Sequence, residues 1–325
     1  MKTDDSVSAL FDPGSAEDLF RNLSAVPPLE PRATAAHSSL NALWLAEFCR
    51  LTYRDNRPGR ASRESFITDL GWRERRFFDR GGTQAGFFVN EKSRAAVLAF
   101  RGTSQLVDGV VDLLAVPERW EGLGHVHAGF RKALLLVWDD VQATLRDALH
   151  PVFLVGHSLG AALATLTAAR CLQDHTIPSP AALYTIGSPR VGDATFVASL
   201  AGLHHSRIVN DEDIVPRVPP VLPRDPLHLF PVYQHGGELH HVRHDGHIEV
   251  HAADSDVRTT GGNVAAALQA LEGAVRDLKA VLRGEWTGDL PEHLSDHAPV
   301  NYLYRLEDAL AAEARGPEPS AMRSA

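Results

Sequence analysis

The chain has 325 residues, 44% of them hydrophobic and 22% charged, with 25 Gly and 20 Pro. Such a chain is long enough to bury a large core, and its composition excludes a disordered polymer, a collagen and a small disulfide scaffold. A net charge of −9, from 32 Lys and Arg against 41 Asp and Glu, gives no electrostatic reason to expect nucleic acid or an anionic membrane as a partner.

Met1-Lys-Thr-Asp-Asp-Ser6 carries acids where a secretory leader needs a basic and then an apolar stretch. No later apolar run reaches membrane-spanning length. The two cysteines, Cys49 and Cys171, require no oxidising compartment. The expectation is a cytoplasmic protein, with export by another route left open.

Residues 1–33 mix acids, serines and four prolines with no sustained apolar period, and read as a polar arm. From Thr34 to Tyr53, Leu40, Leu43, Trp44, Leu45, Phe48 and Leu51 fall at helical spacing. Phe77-Phe78, the turn Gly81-Gly82, Gly86 to Val89 and Ala95 to Phe100 then read as a short antiparallel run ending in a buried strand. A helix over roughly Gly129 to Leu149 leads into the strand Val152 to Val155, a helix from Ser158, the strand Leu183 to Ile186, a further helix and the strand Ile208-Val209. Strand alternating with helix predicts a mostly parallel central sheet with helices on both faces.

Pro216 to Pro231 holds six prolines and reads as loop, and two strands are expected near Leu239 to Val250. Val264, Leu268, Leu271, Val275, Leu278 and Leu282 are spaced 4, 3, 4, 3, 4, a helix with Asn263 placed to cap its start and Gly284 to end it. There is no internal repeat, so the simplest organisation is the arm 1–33, one domain over 34–315 and a polar tail over 316–325.

The chemistry concentrates at Gly156-His157-Ser158-Leu159-Gly160, which follows a buried strand and precedes the alanine-rich run Ala161 to Ala164. A serine hydroxyl is a poor nucleophile until a base removes its proton. A strand-to-helix turn presents that hydroxyl at the sheet's carboxyl edge and at a helix N-terminus, and the two glycines give the turn room. Ser158 is therefore the candidate nucleophile. An order of serine, acid, histidine leaves two places for the base: the cluster His235, His240, His241, His244, His247 and His251, or His297. His247-Ile-Glu249-Val-His251 looks superficially like a zinc motif, but a metalloprotease helix places Glu directly after the first His and here it comes one residue late, so a half-exposed hairpin is the preferred reading.

Four blocks in order make the sequence resemble the class 3 lipases, the α/β-hydrolase family that includes the fungal triacylglycerol lipases: Phe100-Arg-Gly-Thr103, Val126-His-Ala-Gly-Phe130, the Ser158 block, and Gly187 to Asp193 with Arg207 to Pro216. The resemblance runs from about Leu45 to Leu310; Ala161 departs from it where the family often has a second glycine, a change of packing rather than of chemistry. It implies an α/β-hydrolase with Asp213 as the triad acid, Asp211 being the alternative, and with His297 as the base, because Leu294-Ser-Asp-His297 shortly precedes Tyr302 as in the family's terminal segment. It also places an oxyanion hole at the backbone N–H of Leu159 and at Thr103, and a structural histidine at His235 in Tyr233-Gln-His-Gly-Gly-Glu238.

Ser104 to Leu114 carries apolar residues on one helical face, which the resemblance makes a lid that opens on lipid and which periodicity alone reads equally well as a core helix. The implied activity is hydrolysis of acyl esters, lipids among them, through an acyl-enzyme, with no cofactor or metal and with transient contact at a lipid interface if the lid reading holds. The same machinery serves a phospholipase, a thioesterase or an acyltransferase, and a hydrolase fold also serves non-catalytic binding. Acyl length, the alcohol part and oligomeric state are not legible in the residues.

Overall fold

The computed structural model describes residues 2–32, 36–56, 59–102, 117–219, 233–252 and 264–315. Eight strands form one central sheet: β1 Arg73–Arg80, β2 Thr83–Asn90, β3 Ala95–Phe100, β6 Val152–His157, β7 Ala182–Ile186, β8 His205–Asn210, β9 Glu238–Val242 and β10 Ile248–His251. Their order across it is β1-β2-β3-β6-β7-β8-β9-β10. The first three pair antiparallel, β3 to β9 run parallel, and β10 returns antiparallel to β9. A second antiparallel pair, β4 Pro117–Trp120 and β5 Gly124–His127, has no counterpart among the elements expected from sequence; four-residue strands carry too few positions to show a period.

Burial on both faces follows the two-residue period of a strand. Along β3, Ala96, Leu98 and Phe100 enter one core while Ala95, Val97 and Ala99 enter the other. The first core is closed by helices α3 Ala128–Arg146 and α4 Leu159–Gln173, and the second by α2 Ser39–Thr52 and α8 Pro299–Arg315. Two short helices, α5 Ala194–Ala198 and α7 Glu292–Ser295, and the long α6 Val264–Leu282 complete the domain. Beyond α6, Gly284 takes a φ of 69°, and the Gly284 and Glu285 N–H groups bond back to Val281 and Ala280, so the expected glycine stop is there. The expected cap Asn263 lies outside the described residues, as do the tail 316–325 and most of the proline-rich stretch. No helix among the described residues is long and apolar enough to cross a membrane.

The N-terminal segment is not the solvated arm its composition suggests. After α1 Val7–Phe11 and two 3₁₀ turns, Leu10 joins the first core, and Leu19, Phe20, Leu23 and Leu29 join the second. Each such side chain contributes about 1.5–3 kcal/mol on burial. Polar anchors complete the attachment: Arg50 Nε donates to the Pro13 carbonyl at 2.9 Å and Arg54 Nη1 to that of Gly14 at 3.0 Å. Gly14 lies so close to α2 that a Cβ would stand 2.5 Å from the Arg54 nitrogen. Turns of three to five residues repeat no helical stripe, which is why the segment's apolar residues show no period.

Candidate active site

At the end of β6 the chain turns into α4 through Ser158, whose φ of 58° and ψ of −127° lie outside the conformations that L-residues favour. A residue held there costs on the order of 1–3 kcal/mol, and the surrounding packing has to hold it in place. Gly156 and Gly160 make that packing feasible: a Cβ on Gly156 would stand 2.1 Å from the Gly160 carbonyl oxygen, and one on Gly160 would stand 2.3 Å from that of Phe100. The Ser158 N–H is fixed to the Ile186 carbonyl at 2.9 Å, tying the turn to neighbouring β7. Leu159 opens α4, so its N–H stands at the helix N-terminus beside the serine.

Three side chains distant in sequence meet at this turn. His297 Nε2 lies 2.9 Å from Ser158 Oγ, and His297 Nδ1 lies 2.8 Å from Asp213 Oδ2. All three are buried. A carboxylate oxygen can only accept, so Nδ1 carries the proton and Nε2 presents its lone pair to the hydroxyl. Asp213 is held from two further sides, by the Val215 N–H on Oδ1 at 2.9 Å and by the Tyr302 hydroxyl on Oδ2 at 2.6 Å. Burial, and then the neighbouring carboxylate, push the Tyr302 phenol far above its ordinary value, so it remains a donor. Gly187, with a φ of 57°, closes this corner: a Cβ there would stand 2.8 Å from Asp213 Oδ2.

A second relay supports the histidine from behind. His157 Nε2 donates to the His297 carbonyl at 2.8 Å, which leaves Nδ1 to accept from the Tyr53 hydroxyl at 2.8 Å. Burial, and then the nearby His297, hold the His157 imidazole well below its ordinary range, so it stays neutral. A Cβ on Gly102 would stand 2.1 Å from the Tyr53 oxygen, so the end of β3 is shaped to admit that hydroxyl. On the other side, Asp296 accepts from the Glu212 N–H at 2.9 Å and its carbonyl accepts from Asn210 Nδ2 at 3.0 Å. Burial pushes the Asp296 carboxyl up to about 6.

The structure thus brings together Ser158, Leu159, Asp213 and His297. Asp211, the alternative acid, points elsewhere: its carboxylate meets Arg243 at 3.1 Å and the His244 N–H at 3.2 Å. Nor does the histidine cluster reach the serine. His235 Nε2 donates to the Pro216 carbonyl at 2.7 Å and His241 Nε2 to that of Asp211 at 3.0 Å. Thr103 and the segment 104–114 lie outside the described residues. Sequence reasoning misses Tyr302, Tyr53 and His157, although Tyr302 stands in the segment that points to His297 and His157 stands beside Ser158.

Residues 97–222 match the family model described as Lipase (class 3). The lipase of Rhizomucor miehei is 31% identical over 189 residues, which cover 55% of this chain and 50% of that protein. Over these residues the chain is similar to the class 3 lipases. The secreted mono- and diacylglycerol lipase A of Penicillium cyclopium is 35% identical over 159 residues, covering 46% of this lipase-like chain and 51% of the relative. The chain spans about half the length of these two curated relatives. Among solved structures, Rhizomucor miehei triacylglyceride lipase superposes with a TM-score of 0.57 at 23% identity, covering 81% of this chain and 98% of that one. Lipase II from Rhizopus niveus gives 0.55 at 23% identity, covering 68% and 85%. The α/β-hydrolase fold of this lipase-like chain is established by these likenesses.

Proposed function

We propose that the chain is a serine hydrolase that cleaves carboxylic esters of acyl groups, lipid esters among them, through an acyl-enzyme. One observation carries this reading: the buried chain from Ser158 Oγ through His297 to Asp213, at 2.9 and 2.8 Å, on a strained turn that opens a helix. In this reading His297 takes the hydroxyl proton as Ser158 Oγ attacks the ester carbonyl, and Asp213 holds the imidazolium that results. Negative charge then develops on the former carbonyl oxygen, where the Leu159 N–H and Thr103 are assigned as donors. The protonated His297 gives its proton to the departing alcohol, and a water molecule repeats the sequence on the acyl group.

The names of the relatives favour acylglycerols as the ester class. Ser104 to Leu114 lies outside the described residues, and its reading as a lid is tested by a rate curve: turnover that rises once substrate exceeds its solubility limit supports that reading. A smooth saturation curve across that limit assigns the segment to the core instead.

The test is Ser158→Ala, assayed with a series of esters of rising chain length and with a fluorophosphonate probe. Hydrolysis and labelling should both disappear while the melting temperature stays near that of the parent. Retained labelling places the nucleophile elsewhere.

A further inference from the structure

The edge hairpin of β9 and β10 carries three ligating side chains on one face. Register pairs Glu249 directly with His241, and His251 follows Glu249 by two residues on the same strand, so all three project to the same side. One ligand atom from each lies within 4.8 Å of the others. Glu249 Oε2 is 3.9 Å from His241 Nδ1 and 3.6 Å from His251 Nε2. Ligand atoms about 2.0–2.1 Å from one tetrahedral zinc stand roughly 3.3 Å apart. Glu249 and His251, each 43% exposed, have the rotamer freedom to close that difference.

His241 is already set as a ligand. Its Nε2 donates to the Asp211 carbonyl at 3.0 Å, so the lone pair is on Nδ1, the nitrogen facing Glu249. A ligating imidazole whose other N–H is held by a backbone carbonyl is the usual arrangement in metal sites. Arg243 is the charged neighbour: its Nε is 3.9 Å from Glu249 Oε1 and its Nη1 is 3.1 Å from Asp211 Oδ1, so it engages the glutamate oxygen that the histidines do not face.

A second group, His244 with Glu292 and Asp296, lacks this preparation. There Arg305 Nη2 donates to His244 Nδ1 at 3.0 Å, while Nε2 meets Glu292 at 2.8 Å and Asp211 at 3.1 Å, so neither ring nitrogen offers a free lone pair. His247-x-Glu249-x-His251 fails as a helical zinc motif, which needs Glu directly after the first His. On a strand the i, i+2 spacing is the favourable one, and the third ligand comes from across the ladder, His241 rather than His247.

We propose that His241, Glu249 and His251 bind a zinc-class divalent cation, with solvent completing the coordination. Two imidazoles and one carboxylate suit zinc and not calcium or magnesium, which take oxygen ligands. The ion would pin edge strand β10 to β9, and binding to the folded chain alone would raise its melting temperature.

The experiment titrates zinc chloride into the full, tag-free chain after EDTA treatment and dialysis, by calorimetry, with cobalt(II) absorption as a probe of tetrahedral coordination. One equivalent should bind in the parent and in His247→Ala, and the cobalt complex should absorb in the visible. His251→Ala and Glu249→Gln should each weaken that equivalent by at least tenfold. Their melts in EDTA should match the parent, since both side chains are half-exposed. Absence of binding in the parent, or undiminished binding in the His251→Ala/Glu249→Gln double variant, overturns the proposal. Loss of the equivalent in His244→Ala alone transfers the ion to the second group and overturns it equally.

Discussion

Replacing Tyr302 by Phe removes one oxygen from the surroundings of Asp213. The ring is buried at 1% exposure, and phenylalanine keeps its shape, so packing changes only by the lost hydroxyl. What goes is a 2.6 Å donation to Asp213 Oδ2, together with the acceptor that the hydroxyl offers the Asn210 N–H. A hydrogen bond to a charged group contributes about 1.5–3 kcal/mol. Asp213 keeps two donors, His297 Nδ1 and the Val215 N–H, so it is not left bare and the low end applies. If that contribution is realised in the transition state, about 1.5 kcal/mol corresponds to a fall of roughly tenfold in kcat. A soluble short-chain ester assayed alongside a urea titration separates the effects: kcat should fall about tenfold with KM little changed, and stability should fall by no more than about 1.5 kcal/mol. An unchanged kcat with reduced stability would refute the reasoning, because it would make the tyrosine a packing residue with no hold on the acid.

Gly160→Ala places a Cβ 2.3 Å from the Phe100 oxygen and 2.7 Å from the Arg101 backbone, atoms that cannot swing aside, so an overpacking loss of about 3 kcal/mol is expected, read as a lower urea midpoint. Thr103→Val should lower kcat by roughly 10² with KM nearly constant if the residue supplies an oxyanion donor, whereas a change confined to KM assigns it to binding. Burial pushes the Glu47 carboxyl up to about 7; its Oε1 accepts from the Phe20 N–H at 3.1 Å and Arg50 Nη1 at 3.4 Å, while Oε2 meets no partner among the described residues. The folded state therefore favours the protonated acid, so its contribution is complete below the unfolded value near 4.5 and is lost as pH rises through about 7. Glu47→Gln should flatten that decline, an effect of up to about 3 kcal/mol from a shift of this size, visible in melts at pH 5 and pH 8.

Local chemistry makes several elements readable from the chain alone. Strands β3, β6 and β7 are apolar at consecutive positions because both faces of a parallel sheet are covered, and a continuous apolar run bounded by turns is a local property. The turn at Ser158 is equally legible, since the glycines it requires stand two residues before and two after it. Asp213 and His297 are reached from sequence through family resemblance alone, for they lie 84 residues apart and their contact exists only once β8 and the segment before α8 are folded together.

Tertiary structure decided the remainder. The N-terminal segment owes its order to cores that other elements build, and nothing in its own short turns records them. The choice among so many histidines was settled by which backbone carbonyl each ring meets: Pro216 for His235, Asp211 for His241 and His297 for His157. The same holds for Tyr302 and Tyr53, whose hydroxyls find partners 89 and 104 residues away. Periodicity and turn chemistry depend on neighbours along the chain, and so the sequence determined the strands, the helices and the turn at Ser158. Which acid, which histidine and which supporting hydroxyls surround that turn depends on neighbours across space, where a displacement of an ångström breaks a hydrogen bond, and that only the folded chain determines.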